Sequence, residues 1–244
     1  MKTLIFLHGL LGDKTDWQKL IEKLPHFRCI SLDLPYHGSA QHKEIADFEQ
    51  ASAYIAEQIK SAVKNQPYFL VGYSLGGRLS LYYALQSRQD KSGLQGLILE
   101  GVNLGLTAPL EKQQRWQQDQ YWARRFQSEP LEEVLQDWYQ QPVFSHLNEQ
   151  QRANLIHSRS QNNGIKIGKM LLATSLAKQP DFSEKVRSNF LPIYYFVGEK
   201  DDKFRQMAIK YQLNTMIIPQ AGHNSHSENP SDFAESIKQL FSWL

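Results

Sequence analysis

Apolar residues fall along this chain in two alternating rhythms. Thr3 to Leu7, Arg28 to Leu32, Tyr68 to Val71, Leu94 to Leu99, Pro192 to Val197 and Asn214 to Ile218 are short and largely apolar. Such runs read as strands buried on both faces of a sheet. Between them, apolar residues recur every three or four positions, the spacing of one helix face. Trp17, Leu20, Ile21 and Leu24 predict a helix from Asp13 to Leu24, stopped by Pro25. Ala51, Ile55, Ile59 and Val63 predict one from Phe48 to Val63, and Arg78 to Leu85 and Phe204 to Tyr211 read the same way. Phe233, Ile237, Leu240 and Phe241 mark the inner face of a last helix, Ser231 to Trp243. Six strands separated by helices predict an α/β class, a mostly parallel sheet flanked by helices on both faces.

The rhythm breaks after Glu100. From Leu104 to Asn189 the chain is polar, glutamine-rich and studded with Trp116, Tyr121, Trp122, Trp138 and Tyr139, with no run resembling a buried strand. That contrast predicts a helical cap, residues 104–189, inserted into a core domain of residues 1–103 and 190–244. Caps of this kind enclose a site and select its substrate.

The strand ends carry the chemistry. Gly72-Tyr73-Ser74-Leu75-Gly76-Gly77 stands between an apolar strand and a helix. Strand, G-x-S-x-G, helix is the context of a nucleophile elbow. The turn lifts Ser74 above the sheet at a helix N-terminus, where free N–H groups favour negative charge. The first strand ends at His8-Gly9-Leu10-Leu11-Gly12, so the Leu10 and Leu75 N–H groups are the expected oxyanion hole. Asp201 follows the next-to-last strand and His223 the last, giving the order Ser…Asp…His. A serine hydroxyl needs a base within reach, here His223, and Asp201 would hold its tautomer. Asp202 and His226 are the rival acid and base. His8 reads as a structural residue bonded to nearby backbone, and Asp33 and His37 as parts of a turn set by Pro35 and Gly38.

Composition narrows the partners. With 41% hydrophobic and 21% charged residues and a net charge of +2, the chain is an ordinary globular protein with no pull toward nucleic acid. No apolar stretch approaches spanning length and no signal peptide precedes the first strand, so a soluble cytoplasmic protein without membrane contact is expected. Cys29 stands alone, so no intramolecular disulfide or cysteine metal cluster forms, and packing is its expected role. A monomer or weak homo-oligomer is expected.

The sheet portion resembles the α/β-hydrolase fold. The whole chain is similar, more specifically, to the 2-succinyl-6-hydroxy-2,4-cyclohexadiene-1-carboxylate synthases of menaquinone biosynthesis, the MenH family. The resemblance rests on Gly72–Arg78, Asp137–Phe144, Arg159–Gly164, Met170–Ala177 and Ala221–Asn224. Tyr36, Val102 and Leu104 depart from the family pattern, which tends to have Gly, Gly and Pro there. The resemblance implies elimination of pyruvate from an enolpyruvyl cyclohexene carrying three carboxylates, with no metal or organic cofactor. It carries substrate binding onto Arg78, Arg115 and Arg159, with Tyr73 and Trp138 lining the pocket. Planar bidentate donors suit such a small anionic carboxylate substrate. Arg124, Arg125 and Arg152 read as surface residues. Two other readings stay open: a serine hydrolase cleaving an ester, thioester or carbon–carbon bond in a small acidic substrate, and a non-catalytic scaffold on the same fold.

Overall fold

The computed structural model describes residues 1–242. Six strands form one sheet: β1 (Thr3–Leu7), β2 (Arg28–Leu32), β3 (Tyr68–Tyr73), β4 (Leu94–Glu100), β5 (Ile193–Gly198) and β6 (Thr215–Ile218). Their order is β2-β1-β3-β4-β5-β6, and every neighbouring pair is parallel. The connection order reverses between β1 and β3. A crevice opens at such a switch point, outside the carboxyl ends of the strands.

Alternation along β1 divides the core. Ile5 and Leu7 face one side, where they pack with Phe48, Ile55 and Ile59 of α2 (Phe48–Val63) and Leu75 and Leu79 of α3 (Leu75–Leu85). Leu4 and Phe6 face the other, against Trp17, Leu20 and Leu24 and against Phe233, Ile237 and Leu240. Helix α2 matches the predicted stripe because both ends are signalled. The Asp47 carboxylate accepts from Gln50 N at 2.8 Å, and Lys64 leaves the helix in the left-handed region. Cys29 is half-buried and packs at the edge of the second cluster.

The predicted helix Asp13–Leu24 is shorter in the structure. The Asp13 side chain starts a 3₁₀ turn, Lys14–Trp17, and α1 covers only Gln18–Ile21. Pro25 has no N–H to give to the Ile21 carbonyl, so Leu24 N closes onto it instead at 2.9 Å. The apolar stripe stays buried although the helix does not persist. The last helix runs Pro230–Ser242, and Trp243 lies outside the described residues.

Between β4 and β5 the chain forms helices and turns but no strand: α4 (Pro109–Ser128), α5 (Leu131–Trp138), α6 (Glu149–Arg159), α7 (Gly164–Ala173) and α8 (Ser183–Ser188). Trp122, Phe126, Val134, Leu135, Ile167 and Leu171 give these helices an apolar cluster of their own, closed below by Leu11 of the β1 loop. After β5 come α9 (Asp202–Lys210), α10 (Ser225–Glu228) and α11 (Pro230–Ser242). Among the described residues, no helix is long and apolar enough to cross a membrane.

Two departures from the family pattern have visible accommodations. Tyr36 sits at φ +66°, a conformation that favours glycine. Its hydroxyl donates to Ile45 O at 3.0 Å and accepts from Ile45 N at 3.1 Å, which offsets the strain. Val102 is fully buried and packs toward Gly77 of α3.

Candidate active site

Ser74 caps β3 at φ +48°, ψ −108°, a strained backbone costing about 1–3 kcal/mol that surrounding structure must hold. Three contacts hold it. Ser74 N donates to Glu100 O at 2.9 Å, tying the elbow to β4. A Cβ on Gly72 would meet Gly77 Cα at 2.6 Å, and one on Gly76 would strike the Leu7 and His8 carbonyls. The start of α3 therefore lies against both neighbouring strands only because those side chains are absent. Leu75 opens α3 and Leu10 follows β1, at the switch point of the sheet. Among the described residues neither N–H meets a protein acceptor.

His223 and Asp201 form a buried pair. His223 Nδ1 donates to Asp201 Oδ2 at 2.7 Å, which leaves Nε2 as the ring's basic nitrogen. Asp201 Oδ1 also accepts from Phe204 N at 3.4 Å at the start of α9. The Phe204 ring stacks on His223 at 4.9 Å and 20°, fixing the imidazole plane. Asp202, the rival acid, is exposed and pairs with Arg205. His226, the rival base, is buried under Tyr73 and stacked on Trp17 at 3.9 Å, its Nδ1 bonded to Glu100 Oε2 at 2.6 Å. Ser225 Oγ also donates to Glu100, so this group braces the turn after His223. The Ser74 hydroxyl makes no hydrogen bond to His223 or to any other described residue, although both residues border the same cavities. Such bonds are often long without substrate and tighten when it binds.

The larger cavity, about 280 Å³, is bordered by Ser74, Leu10, Leu75, Arg78, Arg115 and Trp138. Arg78 is 8% exposed and makes no ion pair among the described residues. Its Nη1 donates to Thr174 O at 2.9 Å and Gln179 Oε1 at 3.3 Å. Burial, then the nearby Arg115 charge, pulls its pKa down to about 9. Arg115 Nε pairs with Asp119 at 2.8 Å, and Asp119 is fixed by Ser175 Oγ at 2.6 Å. Lys203 joins the lining as a third cation. Sequence reasoning passed over Lys203 and Phe204, whose signal was their place in the Asp201 loop. It also passed over the Asp119 and Glu100 braces, which carry no motif.

Tyr73 and Arg159 are not on that cavity. They border a smaller one of about 70 Å³ that Ser74 and His223 also line. Arg159 is committed to Asp16 through two parallel bonds of 2.7 and 2.8 Å, joining α6 to the turn before α1. Burial opposes its charge, but Asp16 outweighs burial and holds the guanidinium above its ordinary pKa. Arg159 was expected to bind substrate; it borders a cavity with Ser74 and His223, and here its Nη1 and Nη2 donate to a carboxylate of the protein itself. Of the remaining arginines, Arg125 pairs with Glu129 and Asp137 and Arg152 reaches only the Leu147 carbonyl.

His8 and His37 hold loops together. His8 Nδ1 donates to Gly9 O and Nε2 accepts from Leu34 N, while His37 Nδ1 donates to Pro35 O and Nε2 accepts from Leu11 N. Asp33 accepts from Lys14 N and from Ser39 N and Oγ. Both neutral histidines thus position the loop carrying Leu10.

Residues 2–230 match the family model for the alpha/beta hydrolase fold. A 2-succinyl-6-hydroxy-2,4-cyclohexadiene-1-carboxylate synthase from Enterobacter sp. is 44% identical over 237 residues, 97% of this chain and 90% of that one. A Haemophilus influenzae protein provisionally given the same name is 61% identical over 98% of this chain and 96% of its own. Among solved structures, MenH from S. aureus superposes with a TM-score of 0.90 at 26% identity, covering 99% of this chain and 94% of that one. A malate-bound thermophilic esterase from Thermogutta terrifontis, at 21% identity and TM-score 0.80 over 100% and 90%, shares the fold.

Proposed function

The chain belongs to the α/β-hydrolase family and, within it, to the 2-succinyl-6-hydroxy-2,4-cyclohexadiene-1-carboxylate synthases, and on that footing we propose how it works. The reaction removes pyruvate from 2-succinyl-5-enolpyruvyl-6-hydroxy-3-cyclohexene-1-carboxylate in menaquinone biosynthesis. The observation that carries this reading is Arg78. A buried guanidinium with no carboxylate partner costs several kcal/mol unless a ligand supplies the missing anion. Arg115 and Lys203 on the same cavity add to a field suited to a substrate with several carboxylates.

The mechanism is an acid–base elimination. His223, oriented by Asp201, takes the Ser74 proton, and the Ser74 alkoxide removes a ring proton from the substrate. The electron pair left by that C–H bond delocalises into the succinyl carbonyl, toward the Leu10 and Leu75 N–H groups. Its return forms a new ring double bond at the deprotonated carbon, shifts the existing ring double bond one position along and breaks the bond to enolpyruvate, which takes up a proton and becomes pyruvate. Tyr73 and Trp138 shape the walls. A substrate carboxylate reaching Arg159 would have to compete with Asp16. The same reading treats residues 104–189 as the cap over a core of 1–103 and 190–244. It places the enzyme in the cytoplasm.

Pyruvate release from freshly made precursor, followed through a coupled dehydrogenase, tests this. Release far above the spontaneous rate, lost in Ser74→Ala and Arg78→Ala, is the expected outcome. Turnover of simple esters with no such release would instead establish a serine hydrolase.

A further inference from the structure

Glu228 closes α10 and turns its carboxylate back on the loop that carries His223. Glu228 Oε2 accepts from Gly222 N at 2.7 Å, and Oε1 accepts from Asn224 N at 3.2 Å. These are the two residues on either side of His223. A third donor comes from outside the loop: His146 Nε2, in the turn before α6, lies 2.9 Å from Glu228 Oε1. Three N–H donors therefore converge on one carboxylate whose side chain is 13% exposed. Burial works against that carboxylate, but His146 and the two backbone donors outweigh it and hold its pKa below the ordinary value. Gly222 makes the arrangement possible, since a Cβ there would run into the His146 ring.

We propose that Glu228 is a positioning residue for His223, and that His146 fixes it from the inserted helices. His223 is held at its ring by Asp201 and Phe204, and Glu228 holds the backbone beneath it. Ser74 Oγ and His223 Nε2 line the same cavities without a hydrogen bond, so whether they meet depends on where this loop sits. Because His146 belongs to the segment between β4 and β5, the Glu228 carboxylate ties that segment to the backbone on both sides of His223, beside the ring contact of Phe144 with His223. A displacement of about 1 Å in such a group is enough to cost about 100-fold in rate.

The inference rests on the reading of His223 as the proton acceptor for Ser74, so its test has one arm that does not use activity. Histidine-¹⁵N-labelled protein reports the His223 Nδ1–H proton shared with Asp201, assigned by its loss in Asp201→Asn. In Glu228→Ala, and less so in His146→Ala, that resonance shifts or broadens. In the pyruvate-release assay Glu228→Ala lowers kcat by about 30- to 100-fold with KM changed less than about 3-fold. His146→Ala lowers kcat by about 5-fold, and His146→Gln, which keeps a donor, restores most of it. Glu228→Gln, with one acceptor for two backbone N–H groups, falls between wild type and Glu228→Ala and serves if the alanine variant does not fold. A folded Glu228 variant with kcat within about 2-fold of wild type and an unmoved His223 resonance overturns the proposal. A loss confined to KM also overturns it, by making Glu228 a substrate contact. If wild-type protein releases no pyruvate, the functional reading fails and the resonance alone decides the positioning role.

Discussion

Ser74 and Arg78 stand four residues apart, and each is kept in a state that folding alone does not favour. Ser74 is held at positive φ. Arg78 keeps a buried charge without an acidic partner. Ser74→Ala removes the oxygen proposed to abstract the ring proton and is expected to lower kcat by about 10³-fold, within the range for general base catalysis, with KM little changed. Steady-state pyruvate release reads this directly. Arg78→Met tests the charge differently, because it keeps volume and removes the cation. KM is expected to rise by about 100-fold while the protein becomes more stable, as when a buried charge gives way to a packed apolar side chain. A melting temperature several degrees below wild type would show instead that Arg78 is a brace for Thr174 and Gln179. At this scale the sequence was informative where chemistry has a spacing. Ser74, Asp201 and His223 were legible as candidates from their places at strand ends, and Arg78 through the family resemblance. Glu228 was not, because a carboxylate that accepts from backbone has no partner residue types to announce it.

The elbow between β3 and α3 is the element on which the site depends. Its close approach is set by backbone against backbone, so it tolerates no added carbon. Gly76→Ala is expected to cost about 2–4 kcal/mol, because the new Cβ meets the Leu7 and His8 carbonyls and neither strand end can yield. Urea unfolding followed by tryptophan fluorescence measures it, and an unchanged midpoint would mean that α3 can tilt away. Element boundaries were legible where the termini carry their own signals, as at Asp47 and Lys64 of α2. The turn around Asp13–Leu24 shows the opposite case. Its apolar stripe is real and buried, but periodicity reports which residues face the core, not whether the hydrogen-bond ladder persists beneath them. Pro25 ended that ladder one turn early.

Across the whole molecule, the loops at the switch point are tied down by neutral buried imidazoles. Burial, helped by the neighbouring His8, pulls the His37 pKa down to about 3. The unfolded chain therefore binds a proton near the ordinary value of about 6.5 while the folded chain does not. Stability from this residue is complete above that pH and is lost progressively as pH falls toward 3, by about 1.4 kcal/mol per pH unit. Between pH 7 and pH 5 wild type should lose about 2 kcal/mol more than His37→Gln, a difference read from urea midpoints at the two values. Equal losses in the two proteins would mean that His37 is protonated in the folded state.

The sequence by itself determined the alternation of strands and helices, the parallel sheet, the interruption after Glu100 and the residues at the strand ends. Each is a local matter: a periodicity, a turn that only glycine allows, or a residue type at the end of an apolar run. Tertiary structure alone decided how those ends are used. It stacked Phe204 on the His223 ring beside Asp201 and gave His226 a buried partner in Glu100. It put Arg78 and Arg115 on one cavity and committed Arg159 to Asp16. It also joined His146 to Glu228 across 82 residues of chain. The physical reason is common to all of these. A charge or an imidazole takes its role from the partners that burial leaves within reach, and those partners come from distant parts of the chain.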